Sequence, residues 1–170
     1  ALFGSNWQSD PRWSLFYCGI DPTPFETGST RESVRSEFEI RDDARVYGHI
    51  GRFDPQKNHT FLIEIMREVT ARNPNSRLLL VGDGPLRLEI ENLVESSGLK
   101  DNVIFAGLRA DVPRLMGGMD AFVLLSHFEG MPIVLMEAQA AGLPCVVYGA
   151  DMQPKTPETS PGFGMQIAKG

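Results

Sequence analysis

The chain is expected to form an α/β fold, a parallel sheet covered by helices on both faces. Three observations carry that expectation. From residue 45 onward short apolar runs alternate with longer amphipathic ones. The short runs are apolar without interruption, as strands buried on both faces must be. Glycine, proline or asparagine marks the boundaries between them.

RVYGHIG (45–51) is the first strand and ends in a glycine. Asn58 is placed to cap the helix that follows, in which Phe61, Leu62, Ile65, Met66 and Val69 share one face; Asn73 and Pro74 stop it. RLLLVG (77–82) is the second strand, followed by the loop GDGP and a helix with Leu86, Ile90, Leu93 and Val94 on one face, closing near Gly98. VIFAG (103–107) is the third strand. Asp111 is the expected cap of a short helix through Met116, ended by Gly117 and Gly118, and AFVLLS (121–126) is the fourth strand. A helix over 132–141 starts with Pro132 at its first position and closes at Gly142 and Pro144, leading into the fifth strand, PCVV (144–147).

This order predicts right-handed crossovers and a ligand site outside the carboxyl ends of the strands, with the loops at 51–58, 82–85, 107–110 and 126–131 on one rim. Residues 1–44 are less regular, a linker-like stretch with the turn-rich GIDPTPFETGST before a charged helical segment at 31–40. The binding domain spans 45–150. The tail at 151–170 holds Pro154, Pro157, Pro161, Gly162 and Gly164 without periodicity and is expected to be irregular.

Composition excludes several classes. A net charge of −6 argues against a surface built for nucleic acid. Cys18 and Cys145 are too far apart for a CxxC pair, and no ligand cluster suggests a metal. The longest apolar runs, AFVLL and IVLM, fall far short of the ~20 residues needed for a transmembrane segment. ALFGSNWQ has neither the basic start nor the hydrophobic stretch of a signal peptide, and the chain does not begin with Met. The expected setting is a cytoplasmic protein, of which this is a fragment, with peripheral attachment at the inner membrane open for the full-length chain.

Chemistry concentrates in EGMPIVLMEAQAAG (129–142). The helix within it is apolar almost all round, so Glu137, on the stripe of Ile133, Ala140 and Ala141, is expected to be buried. A buried carboxylate without a partner costs several kcal/mol, so Glu137 must meet a cation, a set of donors or a ligand bearing hydroxyls. Glu129 stands one turn before the helix. The amides of Gly130, Met131, Pro132 and Ile133 surround its positive end, except that Pro132 has no N–H, and form an anion site that a glycine lets a ligand approach closely.

On the same rim, GRFDPQKN (51–58) puts Arg52 and Lys57 directly after a strand. Arg52 can grip phosphate oxygens with its fork and Lys57 supplies a mobile charge. Taken together these parts describe a site for a sugar joined to a diphosphate.

The combination of EGMPIVLME, with glutamates eight apart, then AQAAGLP, with GRFDPQKN and VGDGP upstream, resembles the nucleotide-binding half of the group 1 retaining glycosyltransferases, exopolysaccharide-type members above all. The resemblance covers about 45–147. It implies a Rossmann-like domain, the C-terminal half of a two-domain GT-B enzyme, and a UDP- or GDP-type sugar as donor. It implies that Arg52 and Lys57 bind the diphosphate and act as electrostatic catalysts, and that Glu137 takes the ribose hydroxyls. Glu129 and the 130–132 backbone would face the transferred sugar, as a catalytic and positioning group rather than a covalent nucleophile. Phe105 to Leu108, Gly107 included, would line the base, and Gly51 and Gly82, at their strand ends, join the substrate surface. Transfer without an essential metal or other cofactor is implied, as is a glycan or lipid-linked acceptor reached through a missing N-terminal domain. Cys18-Gly19-Ile20-Asp21 is similar to the interdomain linker, usually led by Asn, and the likeness ceases after Val147.

A dehydrogenase is disfavoured because Arg87 stands where the third glycine of a dinucleotide loop would fall. A glycoside hydrolase has no use for a diphosphate clamp. A nucleotide-sugar epimerase and a non-catalytic nucleotide-sugar-binding fragment both stay open. Of the histidines, His49 is expected to be packed, His59 exposed, and His127, beside Glu129, on the binding rim. Asp120 is expected to start a strand without doing chemistry.

Overall fold

The computed structural model describes residues 19–26, 31–148 and 166–168, so Cys18 and most of the tail lie outside the described residues. Two short helices, α1 (Thr23–Glu26) and α2 (Arg31–Glu37), precede β1 (Arg45–Ile50). The chain then runs α3 (His59–Arg72), β2 (Ser76–Val81), α4 (Arg87–Ser96), β3 (Val103–Gly107), α5 (Val112–Gly117), β4 (Ala121–Leu124), α6 (Ile133–Ala140) and β5 (Cys145–Val147). The sheet order is β3-β2-β1-β4-β5, all parallel. A sixth strand, β6 (Gln166–Ala168), pairs antiparallel with β5 inside the tail expected to be irregular. Three residues carry no readable period, and backbone pairing to an edge needs none.

Both faces of the sheet are covered, and β2 shows how. Leu78 and Leu80 pack with Leu62, Ile63 and Met66 of α3 and Ile90 and Val94 of α4, while Leu79 and Val81 pack with Leu115 and Met116 of α5 and Leu135 and Ala138 of α6. Period-2 side-chain alternation thus feeds two cores, which is why the strand reads as unbroken leucine. Among the described residues no helix is long and apolar enough to cross a membrane.

Two expected caps differ. Asn58 has a left-handed backbone (φ 55°) and makes no side-chain cap, because it closes a 3-10 turn at Pro55–Lys57, its N–H donating to the Pro55 carbonyl. Asp111 leads α5 but its carboxylate accepts from Arg109 and Arg114 instead of capping. Pro132 occupies the cap position of α6, one residue earlier than expected.

Asp120 does structural work at the far end of the sheet. It accepts from the Val46 amide at 2.7 Å and from Arg35 at 2.9 Å, and the Arg35 guanidinium also donates to the carbonyls of Arg41, Asp42 and Ala44. A buried arginine is tolerable because both terminal nitrogens of its guanidinium are spent in this way and an aspartate balances its charge, although its Nε–H has no partner.

Candidate nucleotide-sugar site

The chain leaves β1 for β2 and β3 on one side and returns to β4 and β5 on the other, so the carboxyl ends of β1 and β4 diverge into a crevice. The loops that follow these two strands, 51–58 and 125–132, meet there. Glu129 lies at their junction. Its Oε1 accepts from Lys57 Nζ at 2.6 Å and from Ser126 Oγ at 2.6 Å, and its Oε2 from Gln56 Nε2 at 3.4 Å. The His127 amide donates to the Gln56 carbonyl at 2.8 Å, and Gln56 Nε2 donates to the Phe128 carbonyl at 2.9 Å.

Lys57 is therefore not the mobile charge that was expected. Its ammonium is pinned to a carboxylate whose side chain is only 6% exposed, and its stem passes Gly51, where a Cβ would lie 3.4 Å from Lys57 Cε and 3.2 Å from His49 Nε2. Arg52 differs. It is exposed and, among the described residues, its guanidinium has no hydrogen bond or ion pair, which leaves its whole fork available.

Beside this junction is a cleft of about 530 Å³ lined by Gly51, Arg52, Gly82, Asp83, Leu108 and Arg109, among others. The GDGP glycines build it by letting two loops touch. At Gly82 (φ 134°) a Cβ would lie 2.0 Å from the Gly51 carbonyl oxygen, and at Gly84 (φ 158°) 2.5 Å from that of Phe53. The Phe53 amide donates to the Asp83 carbonyl and the Leu86 amide to that of Phe53. Gly107 (φ 70°) stays close by accepting from the Gly82 amide.

The base-lining expectation divides. Leu108 is 79% exposed on the cleft wall. Phe105 points to the α3/α4 face, its ring under the Arg87 guanidinium at 4.5 Å and 6.2 Å from Phe53. Strand alternation requires this: Ile104 and Ala106 face the other core. Arg109 takes a place in the wall that sequence reasoning gave only to its neighbour, and it is held by Asp111 and by Glu37 of α2. These arginines hold the Asp111 carboxyl far below the usual carboxylate range.

Helix α6 is not buried all round. Leu135 and Ala138 are buried, while Ile133 is 48% and Met131 47% exposed, and Glu137 is half-buried. Its apolar stripe continues onto an open face. Among the described residues the Glu137 carboxylate has neither a cation nor a hydrogen-bond donor, and partial burial raises its carboxyl above the ordinary range. Because Glu137 is half-buried and not buried, water can solvate its carboxylate, and the need for a partner that full burial would have imposed falls away. His127, Phe128 and Gly130 are exposed on the rim.

His59 is buried, contrary to expectation. The 3-10 turn carries the start of α3 beneath the crevice, where His59 stacks on Phe53 at 4.2 Å and meets His49 edge-on at 4.8 Å. His49 Nδ1 pairs with the Val123 carbonyl, but its Nε2 and both His59 nitrogens have no partner. Burial, first of all, lowers His49 to about 4 and His59 to about 3. The unfolded chain takes up these protons near pH 6.5 and the folded one does not, so stability is full above that pH and falls as pH drops toward 4. Urea melts at pH 7 and pH 5 are expected to differ by on the order of 3 kcal/mol, and His59→Phe is expected to remove about half of that difference, the part His49 contributes remaining.

Ser126 and Gln56, which hold Glu129, were missed, since a serine ending a strand and a glutamine in a loop carry no periodic signal. Among the described residues no group of three or more His, Cys, Asp or Glu could hold a metal ion.

Residues 30–157 match the family described as Glycosyl transferases group 1. EpsF of Bacillus subtilis, named as a glycosyltransferase, is 37% identical over 147 residues, 86% of this chain and 38% of that protein. The UDP-Gal:alpha-D-GlcNAc-diphosphoundecaprenol alpha-1,3-galactosyltransferase of Escherichia coli is 32% identical over 133 residues, 76% of this chain and 34% of that enzyme. The crystal structure of HepE from Anabaena, in complex with UDP and glucose, superposes with a TM-score of 0.74 at 27% identity, covering 82% of this chain and 39% of that one. The chain thus spans little more than a third of these proteins, with the five-stranded parallel sheet and flanking helices of the GT-B glycosyltransferases. It belongs to the group 1 glycosyltransferase family.

Proposed function

We propose that this chain is the C-terminal, donor-binding half of a retaining glycosyltransferase that moves a sugar from a UDP-type nucleotide sugar to a glycan or lipid-linked acceptor in polysaccharide biosynthesis. The observation that carries this reading is the loop after β1: its Arg52 guanidinium, unpaired among the described residues, lines the cleft over the ends of β1, β2 and β3, and its Lys57 pairs with Glu129 of the loop after β4. The UDP and glucose held by HepE and the donor named for the E. coli enzyme support the choice of UDP.

In this reading Arg52 and Lys57 hold the diphosphate, Glu137 accepts from the ribose hydroxyls and Glu129 orients the transferred sugar. Breaking the sugar–phosphate bond places negative charge on the departing diphosphate. Lys57, held by Glu129, and the amides at the start of α6 are fixed before that charge develops, so they stabilise the transition state more than the ground state, and the free Arg52 guanidinium closes on the diphosphate when it binds. The acceptor hydroxyl attacks from the face the diphosphate leaves, with retention: its oxygen replaces the phosphate oxygen on the sugar carbon, its proton passes to the departing diphosphate, and the cations do the work a metal would otherwise do.

A thermal-shift series with UDP, GDP and ADP tests the donor assignment. UDP at a hundred times its dissociation constant is expected to stabilise the fold by about 2.7 kcal/mol, with smaller shifts for the purine nucleotides. No shift with any of the three contradicts it.

A further inference from the structure

We propose that Gln56 is a positioning residue for the donor sugar, acting through Glu129; the inference rests on the donor-site reading above. Both Lys57 Nζ and Ser126 Oγ bind the same oxygen of Glu129, Oε1. Pinning one oxygen leaves the carboxylate's terminal torsion, a broad and soft one, undefined. The other oxygen, Oε2, is the one left for a sugar hydroxyl, and its protein partner is Gln56 Nε2 at 3.4 Å. The second N–H of that amide reaches the Phe128 carbonyl at 2.9 Å, and the Gln56 carbonyl receives the His127 amide at 2.8 Å. One residue of the β1 loop thereby holds three successive residues of the β4 loop.

Lys57 and Ser126 anchor the loop at Oε1 of Glu129 only, and its neighbours add little packing. Phe128 is 59% exposed and Gly130 has no side chain, so packing does not set where the Glu129 backbone sits. A primary amide suits the task because its two N–H groups diverge in one plane, one toward a backbone carbonyl and one toward a carboxylate. Gln56 itself contacts neither phosphate nor sugar in this scheme; it sets the direction of the oxygen that does.

Calorimetric titration of the chain with UDP, UDP-glucose, UDP-galactose and UDP-N-acetylglucosamine tests this, in wild type, Gln56→Met and Gln56→Glu. Gln56→Met keeps the volume and removes both N–H groups; Gln56→Glu keeps the shape and sets a carboxylate against Glu129 and the Phe128 carbonyl. Gln56→Met is expected to raise the Kd of the sugar nucleotide that binds best about five- to tenfold while moving the Kd of UDP less than about twofold. Gln56→Glu is expected to widen that split. Parallel weakening of UDP and sugar nucleotide, the mark of a merely structural role, overturns the inference, as does wild-type behaviour in both variants. A wild-type chain that binds none of the four overturns the site reading itself, and a chain that binds UDP but no sugar nucleotide overturns only the role given to Gln56.

Discussion

Lys57→Met is expected to destabilise the fold by about 3 kcal/mol and to weaken UDP at the same time. The substitution leaves the Glu129 carboxylate in place, its side chain 6% exposed, with the Ser126 hydroxyl as its close remaining partner and no cation beside it. A buried charge stripped of its counterion costs more than the pair was worth, because its desolvation is no longer offset. The double variant Lys57→Met/Glu129→Gln therefore separates the two effects. It is expected to recover most of the lost stability, since the uncompensated charge is gone, while UDP binding stays weak because the ammonium is still missing. Chemical denaturation of the four proteins of this cycle measures the first and calorimetry the second. Additive stability losses would mean that the 2.6 Å contact is not an energetic pair.

This coupling was hidden in the sequence for a physical reason. GRFDPQKN and EGMPIVLME could each be read for chemistry, and the β-α-β order placed them on one rim, because unbroken apolar runs and helical periods are local signals. What each side chain touches depends on the switch in strand order at β1, which brings residues 72 apart in sequence into contact. Lys57 accordingly looked mobile and is pinned; Glu137 looked buried and is half-buried, because α6 covers the sheet with Leu135 and Ala138 and leaves Ile133 outside. His59 looked exposed because the 3-10 turn that carries it inward spans three residues, too few to show a period. The glycines of VGDGP were legible as a tight loop, but not as the space in which Gly51 and Phe53 lie. The phosphate roles proposed for Arg52 and Lys57 were legible from residue chemistry, those proposed for Glu129 and Glu137 took their detail from resemblance to the family, and geometry adds that the Arg52 guanidinium is unpaired among the described residues and that Lys57 and Glu129 are one unit.

Arg52 is where binding and folding separate most cleanly. Its side chain is exposed and unpaired among the described residues, so Arg52→Ala is expected to change unfolding free energy by no more than about 0.5 kcal/mol. A guanidinium fork on diphosphate oxygens makes charge-assisted hydrogen bonds, and its loss is expected to raise the Kd for UDP by ~30-fold or more, with a weaker salt dependence than wild type. Uridine, which carries no phosphate, controls for the base and ribose contacts. The decisive measurement is calorimetric titration of wild type and Arg52→Ala with UDP and with uridine. Loss of UDP affinity with uridine unchanged is the result expected of a diphosphate held at the β1–β4 crevice, and equal UDP affinity in the two proteins would contradict it.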